Sequence, residues 1–91
     1  MHNPHFKEQV NWELDALEQA DWIIFYFDKH TKSPITLLEL GLFATSKKLL
    51  VCCPEGYWKK GNVDIVCQRN QIPQVKDLDA IITWLNKKFE R

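Results

Sequence analysis

The sequence predicts an α/β fold, a small parallel sheet with flanking helices. Two uninterrupted apolar runs, Trp22-Ile23-Ile24-Phe25-Tyr26-Phe27 and Leu49-Leu50-Val51-Cys52-Cys53, are rich in strand formers and suit strands covered on both faces. Segments with helical apolar spacing precede, separate and follow them. Strand, helix, strand, helix in succession is the order that crossover connections between parallel strands produce.

Phe6 to Gln19 is the first expected helix, with Phe6, Val10, Leu14 and Leu17 on one stripe. Asp21 ends it and the Trp22–Phe27 strand follows. A polar loop from Asp28 to Lys32 then leads to a helix running from Ser33 to about Ser46. Ser33 is expected to cap that helix and Pro34 to occupy its first position, where no N–H is needed. From Ile35 to Ala44 the segment is apolar on nearly every side, which predicts a helix buried all round. After the second strand, Glu55 to Asn62 is expected to be an irregular loop with Gly56 and Gly61 marking turns. Val63 to Gln68 suggests a short helix, and Ile72 to Val75 a short strand interrupted by Pro73. Asp77 can cap a last helix carrying Leu78, Ile81, Ile82, Leu85 and Phe89 at helical spacing.

Ninety-one residues make one domain, residues 1–91, and four Trp and five Phe mark a folded chain. Formal net charge is zero, so no basic surplus exists to hold a nucleic acid polymer. No apolar run is long enough to span a bilayer, and Met1–His5 carries no targeting region. Cys52 and Cys53 are adjacent, so in a strand they point to opposite faces and cannot chelate one metal together. With no CxxC or His/Cys set, neither a metal nor a cofactor is expected. Buried free thiols in a reducing compartment account for the three cysteines and predict a cytoplasmic protein.

Against this background two acids stand out. Glu39 sits in the middle of the apolar helix, between Leu38 and Leu40. A carboxylate there either reaches solvent along a seam, pairs with Lys47 or Lys48, or is held in a cleft for chemistry. Glu13 falls on the stripe of the first helix, where it either extends into water or joins Glu39 as a second working carboxylate. In a parallel sheet, ligands collect at the carboxyl ends of the strands. Asp28, Ser33, Pro54 and the Tyr57–Asn62 loop should lie on that rim, where the start of the Ser33 helix could receive an anion near Ser33 and Thr36. Tyr57 and Trp58 could stack on a base or pack under their own loop.

Trp12-Glu13-Leu14, Leu17-Glu18-Gln19-Ala20-Asp21, Ser33-Pro34-Ile35-Thr36-Leu37-Leu38-Glu39-Leu40-Gly41 and Gly61-Asn62-Val63-Asp64 together resemble the nucleoside 2-deoxyribosyltransferase family. They also resemble its hydrolytic relatives, the 2-deoxynucleoside 5-monophosphate N-glycosidases. The resemblance runs from Gln9 to the last helix and implies a flavodoxin-like fold. It implies that Glu39 is the nucleophile attacking C1′ of deoxyribose. Glu13 falls where members carry an Asp that helps protonate the departing base. Ser33 matches a position that is Asp in transferases on free nucleosides and Ser in relatives that hold a 5′-phosphate. Asn62 matches an Asn lent by a neighbouring subunit. A small-molecule nucleoside or nucleotide is the implied ligand.

Members of the family begin with a strand and a glycine-containing loop that this sequence lacks. Its fold is therefore expected to be a truncated flavodoxin-like one. That leaves Trp22–Phe27 with a bare edge, so either self-association as a homodimer or higher homo-oligomer, or a degenerate fragment, is expected. The two functional expectations are an N-glycosyl enzyme working through Glu39 and Glu13, and a non-catalytic nucleotide-binding module.

Overall fold

The computed structural model describes residues 4–88. Its elements, in chain order, are α1 (Pro4–Gln19), β1 (Ile23–Tyr26), α2 (Pro34–Phe43), β2 (Leu49–Cys52), α3 (Lys60–Asn70), β3 (Gln74–Val75) and α4 (Leu78–Lys88). The three strands form one parallel sheet in the order β1-β2-β3, with Ile23 beside Leu49 and Val51 beside Gln74. The predicted α/β class, with its small parallel sheet and flanking helices, is the observed one. A consecutive strand order is also that of the last three strands of a flavodoxin-like sheet.

The pleat divides the core in two. Ile23, Phe25, Phe27, Leu49, Val51 and Cys53 face one side, where Leu40, Ala44, Val63 and Cys67 pack on them. Leu50 and Cys52 face the other, under Ile81, Trp84 and Leu85 of α4. On that second face α4 also reaches Trp22, whose ring meets Trp84 edge-on at 5.0 Å with the Lys88 ammonium 4.7 Å above it. All three cysteines are buried and unpaired.

Several boundaries and burials differ from expectation. β2 is buried on both faces, but β1 alternates, with Ile23 and Phe25 buried and Ile24 and Tyr26 exposed. α4 covers the outer face over β2 and β3, and nothing among the described residues continues it over the middle of β1. α2 is apolar all round but not buried all round. Leu40 is 2% exposed, whereas Ile35, Leu38 and Leu42 are 63%, 62% and 59% exposed. With β1 at the sheet edge, only one side of this helix has anything to pack on.

α3 starts at Lys60, so Gly61 and Asn62 lie in its first turn and not in a loop. Gly56 does mark a turn, at φ 91°. Asp77 caps α4 as expected, its carboxylate accepting the Ala80 N–H at 2.8 Å. Phe89 lies outside the described residues.

The first helix is held by a residue that its sequence position does not advertise. Lys48, just before β2, points its ammonium at the end of α1. There it donates to the carbonyls of Leu17, Glu18 and Ala20 at 2.7, 2.7 and 2.8 Å. All three ammonium hydrogens are used, and a cation at a helix C-terminus also meets the negative end of its dipole. Otherwise α1 leans lightly on the core, with Leu17 half-buried and no fully buried residue. The radius of gyration, 14.2 Å, reflects this projection. A compact chain of this length would give about 12 Å.

Candidate functional site

The rim at the carboxyl end of β1 is a chain of local hydrogen bonds. The Asp28 carboxylate accepts the His30 N–H at 2.9 Å, and its carbonyl accepts both the N–H and hydroxyl of Thr31. Thr31 and Ser33 share a hydroxyl–hydroxyl bond of 2.7 Å. Ser33 stands in the left-handed region at φ 48°, ψ 52° and its side chain caps nothing. The expected N-cap is therefore corrected. In that backbone conformation the hydroxyl is turned back to Thr31 instead of forward onto the first turn, and only the Ser33 carbonyl enters the helix, accepting the Leu37 N–H.

Tyr57 and Trp58 explain how this conformation is held. The Tyr57 hydroxyl and the Trp58 indole N–H, the latter at 2.9 Å, both donate to the Lys32 carbonyl. Tyr57 is buried, its ring 4.9 Å from that of Phe27, and burial raises its pKa above the usual phenol value. Of the two readings open for Tyr57, packing under its own loop is the one observed. Trp58 is half-exposed, with the ammonium groups of Lys59 and Lys32 at 4.7 and 5.3 Å from its ring. Both ammonium groups lie over the indole as cation–π contacts.

Glu39 sits two turns or so into α2, where the exposed stripe of Ile35, Leu38 and Leu42 meets the buried stripe of Leu40 and Ala44. It is half-buried, and among the described residues it has neither an ion pair nor a hydrogen bond. Lys48, one possible partner, is occupied at α1. Partial burial first, and the negative charge of Glu13 second, raise the Glu39 carboxyl above the ordinary carboxylate value. Glu13 is itself half-buried and takes a long hydrogen bond, 3.4 Å, from the Gln9 amide. Glu13 on α1 thus acts on Glu39 on α2 through its charge, with no hydrogen bond between them.

Thr36 is half-buried on the first turn of α2, below Ser33. Asn62 is exposed on the first turn of α3 and makes no hydrogen bond to either acid or to the rim. Among the described residues, concavities of about 470, 400 and 550 Å³ are lined by side chains other than Glu13, Ser33 and Glu39. One, of about 470 Å³, lies beyond Cys53 and Pro54 and is bordered by Glu55, Lys60, Asp64 and Lys76. Its main electrostatic feature is the Lys60–Asp64 bridge at 3.0 Å, which raises the lysine pKa. Burial pushes the nearby Cys53 and Cys67 thiols up to about 11, so neither supplies a thiolate at neutral pH. This concavity, the Lys48 clamp and the Tyr57–Trp58 grip on Lys32 have no counterpart in the sequence reading. Each joins residues far apart in the chain, and no local pattern marks them. No group of three His, Cys, Asp or Glu side chains among the described residues is placed to hold a metal ion. No helix among them is long and apolar enough to cross a membrane.

The architecture is thus a parallel α/β sheet with a loop-built rim at the carboxyl end of β1 and Glu39 on the helix that follows it. The family described as nucleoside 2-deoxyribosyltransferase like matches residues 1–57 of the 91. The chain belongs to that family. The match takes in α1, β1, α2, β2 and the Tyr57 loop, and thus Glu13, Asp28, Ser33, Thr36 and Glu39; Trp58 and Asn62 lie beyond it. No curated protein matches the chain.

Proposed function

We propose that this chain breaks the N-glycosidic bond of 2′-deoxynucleosides or their 5′-monophosphates, with Glu39 as nucleophile. A carboxylate oxygen of Glu39 forms a bond to C1′ as the bond from C1′ to the base breaks. Glu13 passes a proton to the departing base. Water or a second base then attacks C1′, releases Glu39, and returns a proton to Glu13. Positive charge builds on the sugar in both steps, and an unpaired anion in a partly dry site stabilises it more than it stabilises the ground state. Ser33, Thr36 and Asp28 would meet the sugar or its phosphate. Trp58 would border the base, while Tyr57 holds the loop. Asn62 would act on the site of a second copy.

The observation that carries this reading is the half-buried Glu39, without a partner among the described residues and raised by burial and by Glu13, within the family-matched segment. A second reading, a nucleotide-binding module without turnover, is favoured by the openness around that acid. Its flanking residues Ile35, Leu38 and Leu42 are exposed, and the concavity bordered by Lys60 and Asp64 lies elsewhere.

Incubation with deoxynucleosides and their monophosphates, with free base followed by chromatography, separates the two. Turnover should fall by about ten-thousand-fold in Glu39→Ala. Release that survives this substitution rules out the nucleophile, and binding without release supports the module. The acid must be ionised to attack, so activity should decline as pH falls through its raised pKa. Stability has the opposite sign. A folded carboxyl raised above its unfolded value contributes stability at low pH, and that contribution is lost as pH rises through the folded pKa. Glu39→Gln should therefore melt slightly higher than the parent at neutral pH while remaining inactive.

A further inference from the structure

Helix α1 carries Glu13 but has no fully buried residue to root it. Its half-buried residues, Val10, Glu13, Leu14 and Leu17, share one face. Leu17 packs on the main apolar cluster and stands four residues after Glu13, about 6 Å along the axis. Phe43, four residues after Glu39 on α2, packs on that same cluster. Each acid therefore lies one turn from a side chain of the shared core.

Between the acids themselves there is only repulsion when both are ionised. A helix without a buried anchor yields to such a force unless something else holds it. The Lys48 ammonium does so, donating to the carbonyls of Leu17, Glu18 and Ala20 at 2.7, 2.7 and 2.8 Å. Its own charge does not reach Glu39. Among the described residues Glu13 is the one charged group that shifts Glu39; Glu8, Asp15 and Glu18 of α1, and Lys47 and Lys48 before β2, do not.

We propose that Lys48 is a positioning residue for the acid pair: its three bonds fix the end of α1, and with it the place of Glu13 against α2. Lys48 meets neither substrate nor reacting atom and acts through Glu13. Its effect on turnover rests on the proposed N-glycosidic cleavage, whereas its effect on the acids does not. Lys48→Met keeps an apolar stem and removes all three bonds. Glu13 then moves off, and Glu39 loses a like charge and gains water, both of which lower its pKa.

The test is a carboxyl titration of the ¹³C-labelled full chain by nuclear magnetic resonance, with the Glu39 signal assigned by its loss in Glu39→Gln. The Glu39 midpoint should fall in Glu13→Gln and also in Lys48→Met, while hydrogen exchange shows β2 and α3 still folded. Lys48→Gln, which keeps a shorter neutral donor, is a milder second variant and should move the midpoint the same way by less. The Glu13→Gln/Lys48→Met pair should lower it by less than the sum of the single shifts, because one acts through the other. In base release, the acid limb of Lys48→Met should move to lower pH with the midpoint. Its rate should fall towards that of Glu13→Gln, which loses about a hundredfold or more. A tether that only stabilises the fold would leave the midpoint of the folded chain where it was. An unmoved midpoint in both Lys48 variants overturns the inference, as do single shifts that add in full, or unchanged turnover in Lys48→Met. A parent chain that releases no base overturns the catalytic reading alone, and the titration still decides this one.

Discussion

Helices α2 and α3 have ten and eleven residues and cover the same face of the sheet, one before β2 and one after it. α2, Pro-Ile-Thr-Leu-Leu-Glu-Leu-Gly-Leu-Phe, fully buries only Leu40. α3 carries Lys60, Asn62, Asp64, Gln68, Arg69 and Asn70, yet buries both Val63 and Cys67. The more apolar helix is the more exposed. Hydrophobic composition states how much surface a helix can bury, whereas the neighbouring strands decide how much it does. α3 connects β2 to β3 and fully buries Val63 and Cys67, leaving only Ile65 among its apolar residues largely exposed. α2 overhangs an edge strand, and its surplus of Ile35, Leu38 and Leu42 marks the open side of the molecule.

The sharpest way to break this contrast is within α2 itself. Leu40→Ala should cost about 2–5 kcal/mol in urea unfolding, because it empties a site closed by both strands. Leu38→Ala, two residues away, should stay within about 0.5 kcal/mol. Comparable losses would mean that the outer stripe is covered after all. A smaller effect is expected at the tether of α1. Lys48→Met should cost about 1–3 kcal/mol, since it strips a charged donor from three carbonyls. Hydrogen exchange should then quicken in residues 4–19 before it does in α3. The smallest contrast lies at the helix starts. Asp77→Ala should cost about 1 kcal/mol, whereas Ser33→Ala should change stability far less, because only the first of these side chains caps its helix.

The strand runs, the Asp77 cap and the buried free thiols were legible because each follows from a local pattern. A continuous apolar run and a cap residue before a periodic run need no knowledge of the rest of the chain. The cap at Ser33 was misread for the same reason. A Ser-Pro start favours a cap in isolation, but the Tyr57 and Trp58 donors on the Lys32 carbonyl accompany a left-handed Ser33, and they come from beyond β2. The start of α3 was set too late because Lys-Lys-Gly-Asn has the composition of a loop. In the fold its first turn is carried by the buried Val63 that follows and by the Lys60–Asp64 pair.

By itself the chain's residue order determined the α/β class and the parallel connectivity, since these depend on periodicity and on the order of the elements. Only the tertiary structure decided which face of α2 is covered, where Ser33 turns its hydroxyl, and that Lys48 holds α1. Those outcomes depend on which distant groups arrive at the same place, and burial and hydrogen bonding are satisfied there jointly.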